Sequence, residues 1–245
     1  MYRGNGKLKV GIFSLSSCEG CLVQVLNLED ELIDIFKAID LVSCRLLGVE
    51  KEYDALDVAI VEGAVTNKEE EKELHEIREK SKLLIALGDC ACHGGKFIVK
   101  DFHVKEIAMW LPRGVDKFRA DPLDKYVNVD YHVYGCPIDR EDFITLLKDL
   151  LLGRVYRPVS YNVCAECILK ENECLLDEKI PCLGPITRGG CKAICPSHGR
   201  ECIGCRGPAE DTNVDSLIDI FREKGIEIPP YLLSLIKNLG GAKRV

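Results

Sequence analysis

The sequence predicts an α/β protein in two parts. Residues 1–155 form a mainly parallel sheet covered by helices, and residues 156–245 form a cysteine-rich, irregular domain. Three observations carry this. Apolar, β-branched runs of strand length alternate with segments of helical periodicity from Lys7 to Gly153. The periodicity stops near Val155. Eight of the 14 cysteines then fall between Cys164 and Cys205, amid frequent glycine and proline.

The elements follow in chain order. KLKVGIFS (7–14) is a strand. Residues 21–40 read as one helix, with Leu22, Val25, Leu26, Leu32, Ile33 and Phe36 on its apolar face. LVSCRLLG (41–48) and LDVAIVEG (56–63) are strands. Residues 67–80 read as a helix opened by Asn67, with Glu70 three residues on in capping-box position. Its run KEEEKELHEIREK is a solvated face with i,i+4 ion pairs. KLLIALG (82–88) is a buried strand, and YVNVDYHVYG (126–135) alternates like another. Between them Pro112, Gly114 and Pro122 break the pattern. Asp139 caps the helix REDFITLLKDLLLG, which Gly153 ends. Strands alternating with helices make a sheet buried on both faces. Beyond 155 only two short helices are expected, Asp211 to Lys224 and Pro230 to Leu239, before a frayed GGAKRV tail. The cysteine-rich segment has few apolar runs, so bound metal is expected to supply its folding energy.

Composition removes several functions. The chain has 245 residues, 47% hydrophobic and 30% charged, with a formal charge of −7. Its pI is 5.4 and its mean hydropathy −0.01. A basic footprint for nucleic acid or anionic lipid is missing. No run reaches the roughly 18–20 apolar residues of a spanning helix. The start, MYRGNGKLKVGIF, has no signal-peptide core and no twin-arginine pair, and reads as a cytoplasmic N-terminus. Cytosolic thiols are usually reduced, so metal binding explains the cysteines better than disulfides.

Four cysteines lie at expected strand ends. Cys18 and Cys21 (SSCEGC) follow the first strand. Cys90 (LGDCACHGG) follows KLLIALG, and Cys136 (YGCP) follows the last strand. Loops beyond the carboxyl ends of parallel strands converge on one site. Four thiolates there suit a [4Fe–4S] cluster or a structural zinc. The helix start after Cys21 favours negative charge. Gly20, Gly94, Gly95 and Gly135 allow close backbone approach. Cys92, two residues from Cys90, is a rival ligand that spacing does not exclude. Cys44 lies within a strand and reads as core.

The remaining eight make two groups of four: Cys164, Cys167, Cys174 and Cys182, then Cys191, Cys195, Cys202 and Cys205. Their spacings form a rough mirror pair. Zinc ribbons show two CxxC pairs per metal, and neither half does, so iron–sulfur clusters are the better fit. Ferredoxin-like motifs exchange ligands between groups, so this sequential grouping is an assumption. Three four-thiolate sites in a small acidic chain point to electron transfer.

SSCEGC, VEGAV (61–65), GDCACHGG and YGCP, then PCLGPITRGGCKAICP (181–196) and ECIGC (201–205), in this order resemble the small subunit of [NiFe] hydrogenases. The likeness runs from about residue 8 to residue 208 and is strongest to soluble archaeal sulfhydrogenase and F420-non-reducing forms. It implies a flavodoxin-like sheet domain followed by an iron–sulfur domain, with three [4Fe–4S] clusters. By motif, Cys18, Cys21, Cys90 (rather than Cys92) and Cys136 would hold the proximal cluster. Cys164, Cys167, Cys174 and Cys182 would hold the distal one, and Cys191, Cys195, Cys202 and Cys205 the medial one. Periplasmic members open the distal motif with His where Cys164 stands here, and their medial site can lack a fourth cysteine.

The resemblance also implies partners. The NiFe centre would lie on a large subunit, because this chain lacks the paired CxxC ligands used for nickel. Electrons would pass to subunits carrying iron–sulfur clusters and FAD, with NADP(H) as acceptor and sulfur or polysulfide as a further one, in a cytoplasmic heterotetramer. No nucleic acid or membrane partner is expected. The rival readings are a cluster subunit of a complex I-like or membrane-bound hydrogenase, which lacks the eight-cysteine tail, and a zinc-stapled interaction module. Glu19 and Glu62 are candidate proton relays, read otherwise as a helix-start charge and a hydrogen-bonded strand-end acid. His93, in the cluster loop, and His198 are candidate hydrogen-bond donors to a cluster sulfur, read otherwise as surface residues, and His75, His103 and His132 read as surface or sheet residues.

Overall fold

The structure is a computed structural model that describes residues 7–95 and 120–241. They fall into two compact units, 7–95 with 120–158, and 159–241. His103 and the end of the GGAKRV tail lie outside the described residues.

In the first unit, the elements are β1 (Leu8–Ser14), α1 (Gly20–Leu26), α2 (Asp30–Ala38), β2 (Ile39–Cys44), β3 (Val49–Glu50), β4 (Leu56–Glu62), α3 (Lys68–Lys80), β5 (Ser81–Leu87), α4 (Gly88–His93), β6 (Tyr131–Val133) and α5 (Arg140–Leu151). The six strands lie in the order β3-β2-β1-β4-β5-β6. All neighbours are parallel except β2 and β3. With the short antiparallel edge strand set aside, the parallel strands follow the flavodoxin-like order, with the switch point between β1 and β4.

Alternation along each strand explains why both faces are covered. Val58, Ile60, Ile85 and Leu87 turn one way and pack with Leu22 and Val25 of α1 and with Phe143, Leu146 and Leu150 of α5. Ala59, Val61, Leu84 and Ala86 turn the other way, onto Leu74 and Ile77 of α3 and Ala91 and Cys92 of α4. Cys44 is fully buried in the first of these layers, as a core residue should be. Cys44→Ala is expected to cost about 1–2 kcal/mol of stability and leave the iron content unchanged, as thermal melts and metal analysis would check.

Three local expectations need correction. The run 21–40 is not one helix. It breaks at Asn27–Glu29, where Glu29 has φ 52°, and Ile39–Asp40 already belong to β2. Helical spacing of apolar residues persists across the break because both helices face the same layer. The strand read at 126–135 shrinks to Tyr131–Val133, with a single helical turn at Leu123–Lys125 before it. The capping box is half formed: Asn67 Oδ1 accepts from Glu70 N at 2.8 Å, but the Glu70 carboxylate accepts from Thr66 N at 2.7 Å.

The second unit contains α6 (Val163–Leu169), α7 (Val214–Lys224) and α8 (Pro230–Gly241). The cysteine-rich stretch buries more core than its composition suggests. Val163, Leu175, Leu183 and Ile186 pack with Leu217, Phe221, Leu232 and Ile236 of the two terminal helices. Those amphipathic helices supply the apolar surface that the segment itself lacks.

Candidate functional site

Three strand ends of the first unit bring four cysteines to the carboxyl edge of the sheet. Cys18 lies between β1 and α1, Cys21 in the first turn of α1, Cys90 in α4 directly after β5, and Cys136 just past β6. Their thiols act on one another: Cys21 is in the field of Cys136 and Cys90, and Cys90 in that of Cys136 and Cys18. Glycines make the approach possible. A Cβ on Gly88 (φ +85°) would stand 2.3 Å from Cys21 Sγ, and one on Gly95 (φ +66°) 2.8 Å from Cys90 Sγ. The Asp89 N–H donates to Gly135 O at 2.8 Å and ties two of the loops together.

Glu62 closes the arrangement from β4. It is 2% exposed. Its carboxylate accepts from Leu22 N at 2.9 Å and Cys21 N at 3.2 Å, so it holds the first turn of α1. Burial raises its carboxyl above the ordinary value, against the pull of those two N–H groups. Glu19, beside Cys18, forms an ion pair with Arg45.

Cys92 points elsewhere. It is fully enclosed, and its thiol donates to Ala86 O at 3.6 Å and Val133 O at 3.8 Å, between β5 and β6. His93 departs from the surface reading. It is largely buried, stacked on Tyr134 with ring centroids 5.5 Å apart, and its Nδ1 lies 3.3 Å from an Asp89 oxygen. His132 stacks on the same tyrosine. His75 and His198 are exposed, as expected.

In the second unit Cys164 faces Cys182, Cys167 and Cys174. A Cβ on Gly184 would lie 3.3 Å from Cys164 Sγ and 3.5 Å from Cys182 Sγ. Asn172 Nδ2 reaches Cys167 Sγ at 3.5 Å, and the Cys202 N–H donates to Cys182 Sγ at 3.4 Å. Cys191 is in the field of Cys205, whereas Cys202 is in that of Cys182 first and of Cys205 after it. Cys195, half-buried, precedes the turn Pro196–His198. Composition did not single out Glu166 or Arg206, both buried. Their only trace in the sequence is position: Glu166 sits between two cysteines of a CxxC, and Arg206 directly follows Cys205.

The chemistry of the donor set bears on whether an iron–sulfur group fits. Burial, then neighbouring acids and thiols, pushes Cys90 up to about 12. Burial and the other three thiols of its group do the same for Cys164, to about 12. Burial first raises Cys21, Cys182, Cys191 and Cys202 as well. Thiols gathered this way become thiolates only when a cation compensates them, which iron does. Among the described residues, no three His, Cys, Asp or Glu side chains close in as tightly as a single bound ion requires. A four-iron cluster takes one thiolate per corner iron, so its ligands stand farther apart than those of one ion. Backbone N–H groups aimed at sulfur, as from Ile138 to Cys21, suit such a cluster. The residues fit.

Fold and site together define a class: a flavodoxin-like sheet that gathers thiols at its switch-point edge, joined to a cysteine-rich unit. Comparison with known proteins narrows it. Residues 18–150 match the family described as NADH ubiquinone oxidoreductase, 20 Kd subunit. The chain is 38% identical to sulfhydrogenase 2 subunit delta of Pyrococcus furiosus over 220 residues, 88% of this chain and 93% of that one. It is 30% identical to a vhu subunit of the F420-non-reducing hydrogenase of Methanocaldococcus jannaschii, with 91% of each chain covered. Among solved structures, an NAD+-reducing [NiFe]-hydrogenase chain matches at 26% identity and a TM-score of 0.54, covering 62% of this chain and 96% of that one. A chain of the Ni-Fe-Se hydrogenase from Desulfomicrobium baculatum shares the fold at 17% identity, with a TM-score of 0.57 over 88% of this chain and 99% of that one. This chain belongs to the family of hydrogenase small subunits. Among the described residues no helix is long and apolar enough to cross a membrane.

Proposed function

We propose that this chain is the electron-relay subunit of a soluble, cytoplasmic [NiFe] hydrogenase and carries three [4Fe–4S] clusters. The observation that carries the reading is the delivery of Cys18, Cys21, Cys90 and Cys136 from three strand ends to one edge, with Cys182, Cys167 and Cys174 gathered around Cys164 in the second unit. When bound, such clusters supply reversible one-electron storage. The chain's own residues hold and shield them. Cys18, Cys21, Cys90 and Cys136 take the cluster nearest the partner's NiFe centre. Cys164, Cys167, Cys174 and Cys182 take a second, and Cys191, Cys195, Cys202 and Cys205 a third. Glu62 acts by fixing the turn that carries Cys21.

Hydrogen is split on the large subunit, and electrons leave for iron–sulfur and FAD subunits, with NADP(H) as acceptor and sulfur or polysulfide as a further one. The match over 18–150 also suits a complex I-like subunit, but the hydrogenase relatives extend over the cysteine-rich unit as well. The test is anaerobic purification of the complex. A nickel-bearing large subunit should accompany this chain in equal amount, with about twelve iron and twelve sulfide per chain. Cys136→Ser should lower hydrogen-driven dye reduction on the order of 100-fold while nickel stays in the large subunit. Zinc without sulfide, or unchanged dye reduction in the variant, overturns the reading.

A further inference from the structure

Two buried charged side chains of the second unit meet at one glycine. Arg206 is 2% exposed, and its Nε donates to Gly189 O at 2.5 Å. Its guanidinium occupies the space a side chain at Gly190 would need: a Cβ there would lie 2.5 Å from Nη2, and Gly190 has φ +98°. Glu166, on α6, reaches the same glycine through its N–H. Glu166 Oε1 accepts from Gly190 N at 2.7 Å, and Oε2 accepts from Ala193 N at 3.2 Å. The loop between these two bonds is strained, with Lys192 at φ 57° and Ala193 at φ 47°. It carries Cys191, whose Sγ lies 3.9 Å from Glu166 Oε2.

Burying ions is costly, and apolar residues of similar volume often serve stability as well or better. A carboxylate and a guanidinium held in place beside a ligand loop call for another role. Their charges act on Cys191 with opposite sign: the Glu166 carboxylate lies 3.9 Å from its Sγ, and the Arg206 guanidinium packs against Gly190, the residue before it.

We propose that Arg206 and Glu166 are positioning residues that set the reduction potential of the cluster held by Cys191, with Arg206 raising it and Glu166 lowering it. The inference rests on the reading of Cys191 and Cys205 as cluster ligands. Reduction adds one electron, drawn from hydrogen oxidised on the large subunit, and makes the cluster more negative. A fixed cation in a poorly screened interior stabilises that state, and a fixed anion opposes it.

The test is an EPR-monitored redox titration of the anaerobically purified complex. Arg206→Met should lower the midpoint of one cluster signal by a tenfold change in its one-electron equilibrium constant, about 59 mV, leaving the others in place. Arg206→Lys, which keeps the charge, should restore most of it. Glu166→Gln, which removes charge with little change of shape, should move the same signal upward. Iron and sulfide are measured on each sample. Wild-type complex without sulfide defeats the functional reading itself. Full clusters with no shift in Arg206→Met, or equal shifts in the Met and Lys variants, overturn this inference alone. Loss of iron in both Arg206→Met and Glu166→Gln, with the wild type intact, makes the pair purely structural and overturns it too.

Discussion

Cys90→Ser should remove about four irons from each chain, whereas Cys92→Ala should remove none. The two cysteines are separated by one residue, and the structure gives them different surroundings. α4 begins at once after β5, so Cys90 emerges at the sheet's edge, half-buried and facing Cys136 and Cys18. A helix turns about 100° per residue, so two steps on, Cys92 is carried to the opposite side and into the layer beneath α4. There its thiol already has two carbonyl acceptors and packs among Leu84, Ala86 and Leu123. Its removal should cost only about 1 kcal/mol of stability. Iron analysis and EPR of the two purified variants check the contrast. Equal iron in both, or loss from the Cys92 variant alone, would exchange their roles.

That contrast marks how far the sequence alone could be read. Strand-end positions for Cys18, Cys21, Cys90 and Cys136 were legible because parallel topology sends successive strand ends to one edge, and β-branched runs identify the strands. The choice between Cys90 and Cys92 was not legible from spacing, since it depends on where α4 starts. The break at Asn27–Glu29 was hidden because two helices on one sheet face keep a single apolar rhythm. The core of the second unit was missed for a related reason. Residues 163–202 contribute scattered apolar side chains, and only α7 and α8, more than ten residues further along, make them a core. Arg206 and Glu166 escaped because an arginine or glutamate is ordinarily exposed. Nothing in composition marks the exceptions.

Gly88→Ala should abolish the cluster of the first unit, while Gly153→Ala should leave it whole. Both glycines have positive φ, +85° and +66°, so alanine at either incurs backbone strain of about 1–2 kcal/mol. Their surroundings differ. Nothing lies within 4 Å of a Cβ on Gly153, which ends α5 at the surface. A Cβ on Gly88 would sit 2.3 Å from Cys21 Sγ and 3.6 Å from Gly135 O. Cys21 cannot retreat, because Glu62 pins its N–H from behind and Leu22 beside it is buried against the sheet. The thiol would have to swing away from Cys90 and Cys136, and a four-cornered site would keep three ligands. Strain alone predicts equal melting-temperature losses and full iron in both variants. Steric exclusion at the ligand predicts that only Gly88→Ala loses about four irons and its EPR signal. Full iron in Gly88→Ala would mean that Cys21 is free to move, and that the close approach of Gly88, at the start of α4, to Cys21 on α1 does not fix the site.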